Sequence, residues 1–160
     1  MKNKINYGII SDIYIDPRII HPTLEILTDL GAEKLIVNGD IGERMNSLED
    51  TQKYTAGILD ALGKSEKECF IQPGSHETVG AFQPVLDAFC EKYPNLISAL
   101  KVPKVENGNH HLVFLPGSDF VCGGEYQIGN DENIETGLYK TQSGFLHYQN
   151  MNDLRNLVSN

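Results

Sequence analysis

Three short apolar runs, each breaking into a polar loop and each followed by a helix-like segment, constrain this chain more than any other feature. Tyr7-Gly8-Ile9-Ile10 runs into Ser11-Asp12, Lys34 to Asn38 runs into Gly39-Asp40, and Glu68 to Gln72 stops at Pro73-Gly74. After the first run, Pro22 to Leu30 carries Leu24, Leu27 and Leu30 at helical spacing before Gly31. Leu48 to Leu62 is a second helical segment, read as ending at Gly63, and Val79 to Tyr93 a third, in which Pro84 marks a kink or a late start. Strands alternating with helices require right-handed crossovers and a mainly parallel sheet, so the fold class is α/β. Ligands of such sheets bind outside the carboxyl ends of the strands. Asp12, Asp40 and His76 each follow a predicted strand, which brings three reactive side chains to one edge.

The second half reads differently. Asn95 to Leu100 and His110 to Leu115 are predicted strands, with the turn signal Asn107-Gly108-Asn109 between them, which suggests a hairpin or a sheet edge. Gly117 to Gly144 reads as one long polar, glycine-rich loop that covers or shapes a site, and Asn152 to Val158 as a helix with Asn152 or Asp153 near its N-cap.

With 160 residues, 40% of them hydrophobic, the chain is expected to form one domain over residues 1–160 with a real core. The net charge of -9 opposes long-range attraction of phosphate backbones and anionic lipids. An anionic substrate therefore needs local positive charge, such as a metal ion. The opening MKNKINYGIISDIYID has only a short apolar run and no small-residue cleavage site, and no apolar run approaches the roughly 18 residues of a membrane span. Cys69, Cys90 and Cys122 are odd in number and show no CxxC or zinc spacing. Reduced thiols, no membrane contact and a cytoplasmic location are the expectations.

The strand-end segments Ser11-Asp12-Ile13-Tyr14, Gly39-Asp40-Ile41-Gly42-Glu43-Arg44 and Pro73-Gly74-Ser75-His76-Glu77 resemble the first three signatures of the calcineurin-like metallophosphoesterase superfamily. Their usual forms are D-x-H, G-D-x-x-[DE]-R and G-N-H-[DE]. The resemblance covers about the first half of the chain and implies the N-terminal part of a layered α/β/β/α sandwich, incomplete at its C-terminus. By the family pattern Asp12 holds a first metal and Asp40 bridges two. His76 contacts phosphate and protonates the leaving oxygen, Glu43 orients that imidazole, and Arg44 grips phosphate oxygens. The chemistry is coherent, because hard divalent ions prefer oxygen and imidazole ligands and a bridging carboxylate lets two ions clamp a displacement at phosphorus.

This chain departs from the pattern in two ligands. Tyr14 stands where the first-motif histidine is usual, and Ser75 where an asparagine carbonyl is usual, so both enter the metal set as poorer donors. The later histidine and the G-H-x-H signature have no counterpart, and His110, His111 and His147 are not assigned as ligands. His21 reads as a cap or surface residue. The implied cofactor is a divalent ion (Mn, Mg, Fe or Zn), weakly held or absent.

Each residue also has a structural reading. An aspartate after a strand is most often a turn or cap residue, and Glu43 with Arg44 could form only an exposed ion pair. As an ordered set the motifs favour a site. Two functions stay open: a phosphate-ester hydrolase whose site is completed by a C-terminal half, and a non-catalytic descendant acting as a binding or scaffold subunit. An acidic receiver-like or nucleotide-binding domain is a third reading, with no Walker or GxGxxG loop to support it. The expected partners are a phosphate-ester substrate, nucleic acid among the candidates, and either a C-terminal partner chain or a second copy. The last two would cover an open sheet edge around Leu96 to Leu100 and His110 to Leu115.

Overall fold

The computed structural model describes residues 4–13, 16–42, 45, 47–77, 79–107, 110–116, 137–141 and 144–148. Strand β1 (Tyr7–Ile10) leads through a 3-10 turn at Pro17–Ile19 into helix α1 (Ile20–Asp29); β2 (Lys34–Asn38), α2 (Leu48–Lys64), β3 (Glu68–Gln72), α3 (Val79–Lys92) and β4 (Leu96–Ser98) follow. The four strands form one parallel sheet in the order β1-β2-β3-β4, with Ile9, Ile36, Phe70 and Ile97 in one cross-strand row. Because the strand order follows the chain order, right-handed crossovers carry every helix to the same face. That face buries Ile10, Leu35, Val37, Cys69, Ile71 and Leu96 against Ile20 and Leu24 of α1, Ile58, Leu59 and Leu62 of α2, and Phe82 and Leu86 of α3. Each fully buried aliphatic or aromatic side chain there contributes about 1.5–3 kcal/mol, so this layer holds the fold.

The opposite face is partly covered by an antiparallel hairpin of β5 (Lys104–Asn107) and β6 (His110–Val113), which leaves Ile9 of β1 exposed. Phe114 stacks on Phe70 with ring centroids 5.7 Å apart, and Val105 and Leu112 close over Ile36 and Ile97. Helices, parallel sheet and hairpin thus make a layered α/β sandwich, in keeping with the α/β class that the strand-helix alternation predicts. A further pair, β7 (Gly137–Thr141) and β8 (Gly144–Tyr148), is antiparallel. No helix among the described residues is long and apolar enough to cross a membrane.

Several expectations need correction. Leu96–Ser98 is not half of a hairpin: it pairs in parallel with Cys69–Ile71, and Leu96 and Leu100 are buried, so that stretch is not an exposed second-sheet edge. The hairpin partner of His110–Val113 is instead Lys104–Asn107, a polar tetrapeptide drawn into a strand by the burial of its neighbours. The 117–144 segment is not one loop, since β7 lies within it. Gly63 does not end α2. The helix runs on to Lys64, and the missing side chain makes room for Tyr93, whose ring would lie 2.3 Å from a Cβ at that position. Helix α1 starts at Ile20, ahead of Pro22, and His21 is exposed in its first turn. Pro84 sits inside α3, and the Gly80 carbonyl that its ring deprives of a donor accepts the Gln52 Nε2 at 3.4 Å. The 152–158 helix and Cys122 lie outside the described residues.

Candidate functional site

At the carboxyl ends of β1 and β2 the chain leaves the sheet through left-handed backbone at two aspartates. Asp12 has φ 58° and Asp40 φ 52°, with Gly39 before it at 78°. This region costs an L-residue on the order of 1–2 kcal/mol, although Asp tolerates it better than most. Two such residues at neighbouring strand ends are local strain of the kind that collects at functional sites. The loops are stitched together, since Asp12 N donates to Gly39 O at 3.4 Å. The Ser11 hydroxyl donates to the exposed carboxylate of Asp12.

The loop after β3 closes on the same point. Asp40 Oδ1 accepts the His76 backbone N–H at 2.8 Å and the Ser75 hydroxyl at 3.1 Å, while Oδ2 receives a longer branch from the same hydroxyl at 3.3 Å. Gly74 permits this approach, because a Cβ there would stand 2.5 Å from Asp40 Oδ1. Asp40, Ser75 and His76 are thus brought together, and Asp12 joins them through the Gly39 carbonyl. Tyr14, Glu43 and Arg44 lie outside the described residues.

Sequence reading assigned no role to Glu77, the last residue of the third motif. Its side chain is 2% exposed and accepts four backbone N–H groups: Oε1 from Ile41 and Gly42, both at 2.7 Å, and Oε2 from Gly74 at 2.7 Å and Asp40 at 3.1 Å. Burial pushes this carboxyl above the usual carboxylate range, and the four N–H donors pull against that rise. The only local signal was an acid following a glycine turn; its partners lie up to 37 residues away.

The other ionisable groups are placed elsewhere. Asp16 is held down to about 2 by the side-chain and backbone hydrogen bonds of Arg18, an ion pair capping the 3-10 turn. His110 Nε2 meets Tyr7 Oη at 2.9 Å, at the amino end of the β1 strand, and helps to seat the hairpin. Burial pushes the Cys69 thiol up to about 12, which removes it as a nucleophile.

Asp12, Asp40 and Ser75 each carry oxygen donors, the ligand type that a hard divalent ion such as Mg2+ or Mn2+ takes. Among the described residues no three His, Cys, Asp or Glu side chains gather into a ligand cluster.

The chain is similar in fold to two solved structures. The crystal structure of TT1561 of Thermus thermophilus matches with a TM-score of 0.63 at 12% identity, over 96% of this chain and 62% of that one. A second crystal structure matches with a TM-score of 0.54 at 14% identity, over 69% of this chain and 52% of that one. At these identities the likeness is one of fold, and this chain spans between half and two thirds of the length of either structure. No protein-family model and no curated protein matches the chain.

Proposed function

We propose that this chain is a metallophosphoesterase-like protein in which Asp12 and Asp40 hold a hard divalent ion and His76 faces a phosphate ester. The observation that carries the reading is the convergence of the Ser75 hydroxyl and the His76 N–H on the Asp40 carboxylate, beside a second left-handed aspartate at the carboxyl edge of a parallel sheet. The two donors hold Asp40 in one orientation, which reduces the entropy lost on binding a cation. A bound ion would polarise the phosphoryl group and lower the pKa of a coordinated water. The His76 imidazole would give its proton to the leaving oxygen, with Glu43 orienting the ring and Arg44 gripping phosphate oxygens as the motif implies. A net charge of -9 makes such local positive charge necessary for any anionic substrate. The remaining ligands would come from a C-terminal half, a partner chain or a second copy.

One observation favours the non-catalytic alternative. The Ser75 hydroxyl, at the position where the motif usually offers a carbonyl oxygen, is engaged with Asp40. A binding or scaffold subunit would keep the loops without the full ligand set.

Mn2+ titration of the wild type and Asp40→Ala, with hydrolysis of a phosphate diester and a monoester by the wild type and His76→Ala, separates the two. Turnover lost in His76→Ala supports a hydrolase. Binding lost in Asp40→Ala without any wild-type turnover, alone or with a chain that supplies the missing C-terminal histidines, supports the scaffold. Binding unchanged in Asp40→Ala removes Asp40 from the site and overturns both.

A further inference from the structure

Two carboxylates exchange backbone hydrogen bonds across the site. The Asp40 side chain, on the loop after β2, takes the His76 N–H from the loop after β3 at 2.8 Å. The Glu77 side chain, on the loop after β3, takes the Asp40 N–H at 3.1 Å together with those of Ile41 and Gly42. Its fourth donor, Gly74 N at 2.7 Å, comes from its own loop. The donors approach in pairs, two on each oxygen, and only an ionised carboxylate accepts all four. A glutamine would turn its NH2 toward one pair, donor against donor, and an aspartate is one methylene too short to span both.

We propose that Glu77 is a positioning residue: as a built-in anion it locks the 39–42 loop onto the 73–77 loop and thereby aims the Asp40 carboxylate at the bound ion without touching that ion. The proposal rests on the reading of Asp40 as an ion ligand. Asp40 is held in left-handed backbone partly by the hydrogen bond from its own N–H to Glu77, so loss of the Glu77 charge releases the backbone that presents the ligand.

The experiment compares wild type, Glu77→Gln and Glu77→Ala at neutral to mildly alkaline pH by hydrogen exchange and by Mn2+ titration. In Glu77→Gln the amides of Asp40, Ile41, Gly42 and Gly74 should lose protection while those of Leu35 and Ile71 keep it, and Mn2+ affinity should fall about 10- to 100-fold, as for other groups that orient a ligand from behind. In Glu77→Ala, formate should restore part of both signals and chloride at equal ionic strength neither. Wild-type protection at the four amides of Glu77→Gln overturns the proposal, as does lost protection with unchanged Mn2+ affinity. If Glu77→Gln does not fold, failure of formate to restore the four amides in Glu77→Ala overturns it equally. Wild-type protein that binds no Mn2+ overturns the ion reading instead, and the amide protection alone then decides whether Glu77 locks the loops.

Discussion

Gly39 and Gly74 meet backbone to backbone: a Cβ on Gly39 would stand 2.5 Å from Gly74 N and 2.6 Å from its Cα. The contact joins the loop after β2 to the loop after β3 and leaves no space for a side chain at either residue. Gly39→Ala therefore meets a steric clash with rigid backbone as well as a φ of 78°. We expect a loss of about 2–4 kcal/mol, seen in urea unfolding as a lower midpoint with unchanged slope. Gly31→Ala is the control, since its φ of 82° has only Asn6 Nδ2 nearby, at 4.0 Å. It should cost about 1 kcal/mol, from the backbone alone.

Asp12 is exposed and strained at φ 58°. Asp12→Gly should stabilise the fold by up to about 1 kcal/mol, because glycine adopts this backbone without penalty. The same substitution should weaken Mn2+ binding, a gain in stability at the expense of the site. Asp40→Gly should give no such gain, since it also strands the Ser75 and His76 donors. Thermal melts of the two variants with and without Mn2+ check both statements.

Phe114 is 5% exposed and stacks on Phe70 at the centre of the smaller cluster. Phe114→Ala should cost about 3–5 kcal/mol. Hydrogen exchange should quicken in the 104–113 hairpin before it does in β2 and β3, because the hairpin is held to the sheet mainly through this cluster.

The Lys64 and Lys92 ammonium groups and the Tyr93 hydroxyl hold the Asp60 carboxyl well below the usual carboxylate range. The unfolded chain, with Asp near 3.9, binds a proton there more readily than the folded one. The stabilisation is therefore fully present above about pH 4 and is lost as pH falls through the depressed folded value. Asp60→Asn should flatten the acid limb of a stability-versus-pH curve and lower the neutral plateau by the same amount, a small one because the lysine partners are exposed to solvent.

The sequence made β1, β2 and β3 legible to the residue, since an apolar run ended by Ser-Asp, Gly-Asp or Pro-Gly is a local signal. The order of strands and helices was legible for the same reason, and with it the edge where Asp12, Asp40 and His76 emerge. The partner of β4 was not. Leu96-Ile97-Ser98 suits a hairpin strand as well as a buried parallel one, and only pairing with β3 decides. Nor was β5, because Lys104 to Asn107 has little strand propensity and is held by the cluster on the outer face.

By itself, then, the sequence determined the α/β alternation and which acids leave the sheet at its carboxyl edge, because periodicity and turn chemistry are carried by neighbours along the chain. Tertiary structure alone decided which acid is buried and what it does there. Glu77 looks like an ordinary acid ahead of a helix, and it becomes the anion at the centre of two loops only because Gly39 and Gly74 let those loops touch across adjacent strands. Burial, and with it the cost of a charge and the need for four donors, depends on where distant segments meet, which no local pattern records.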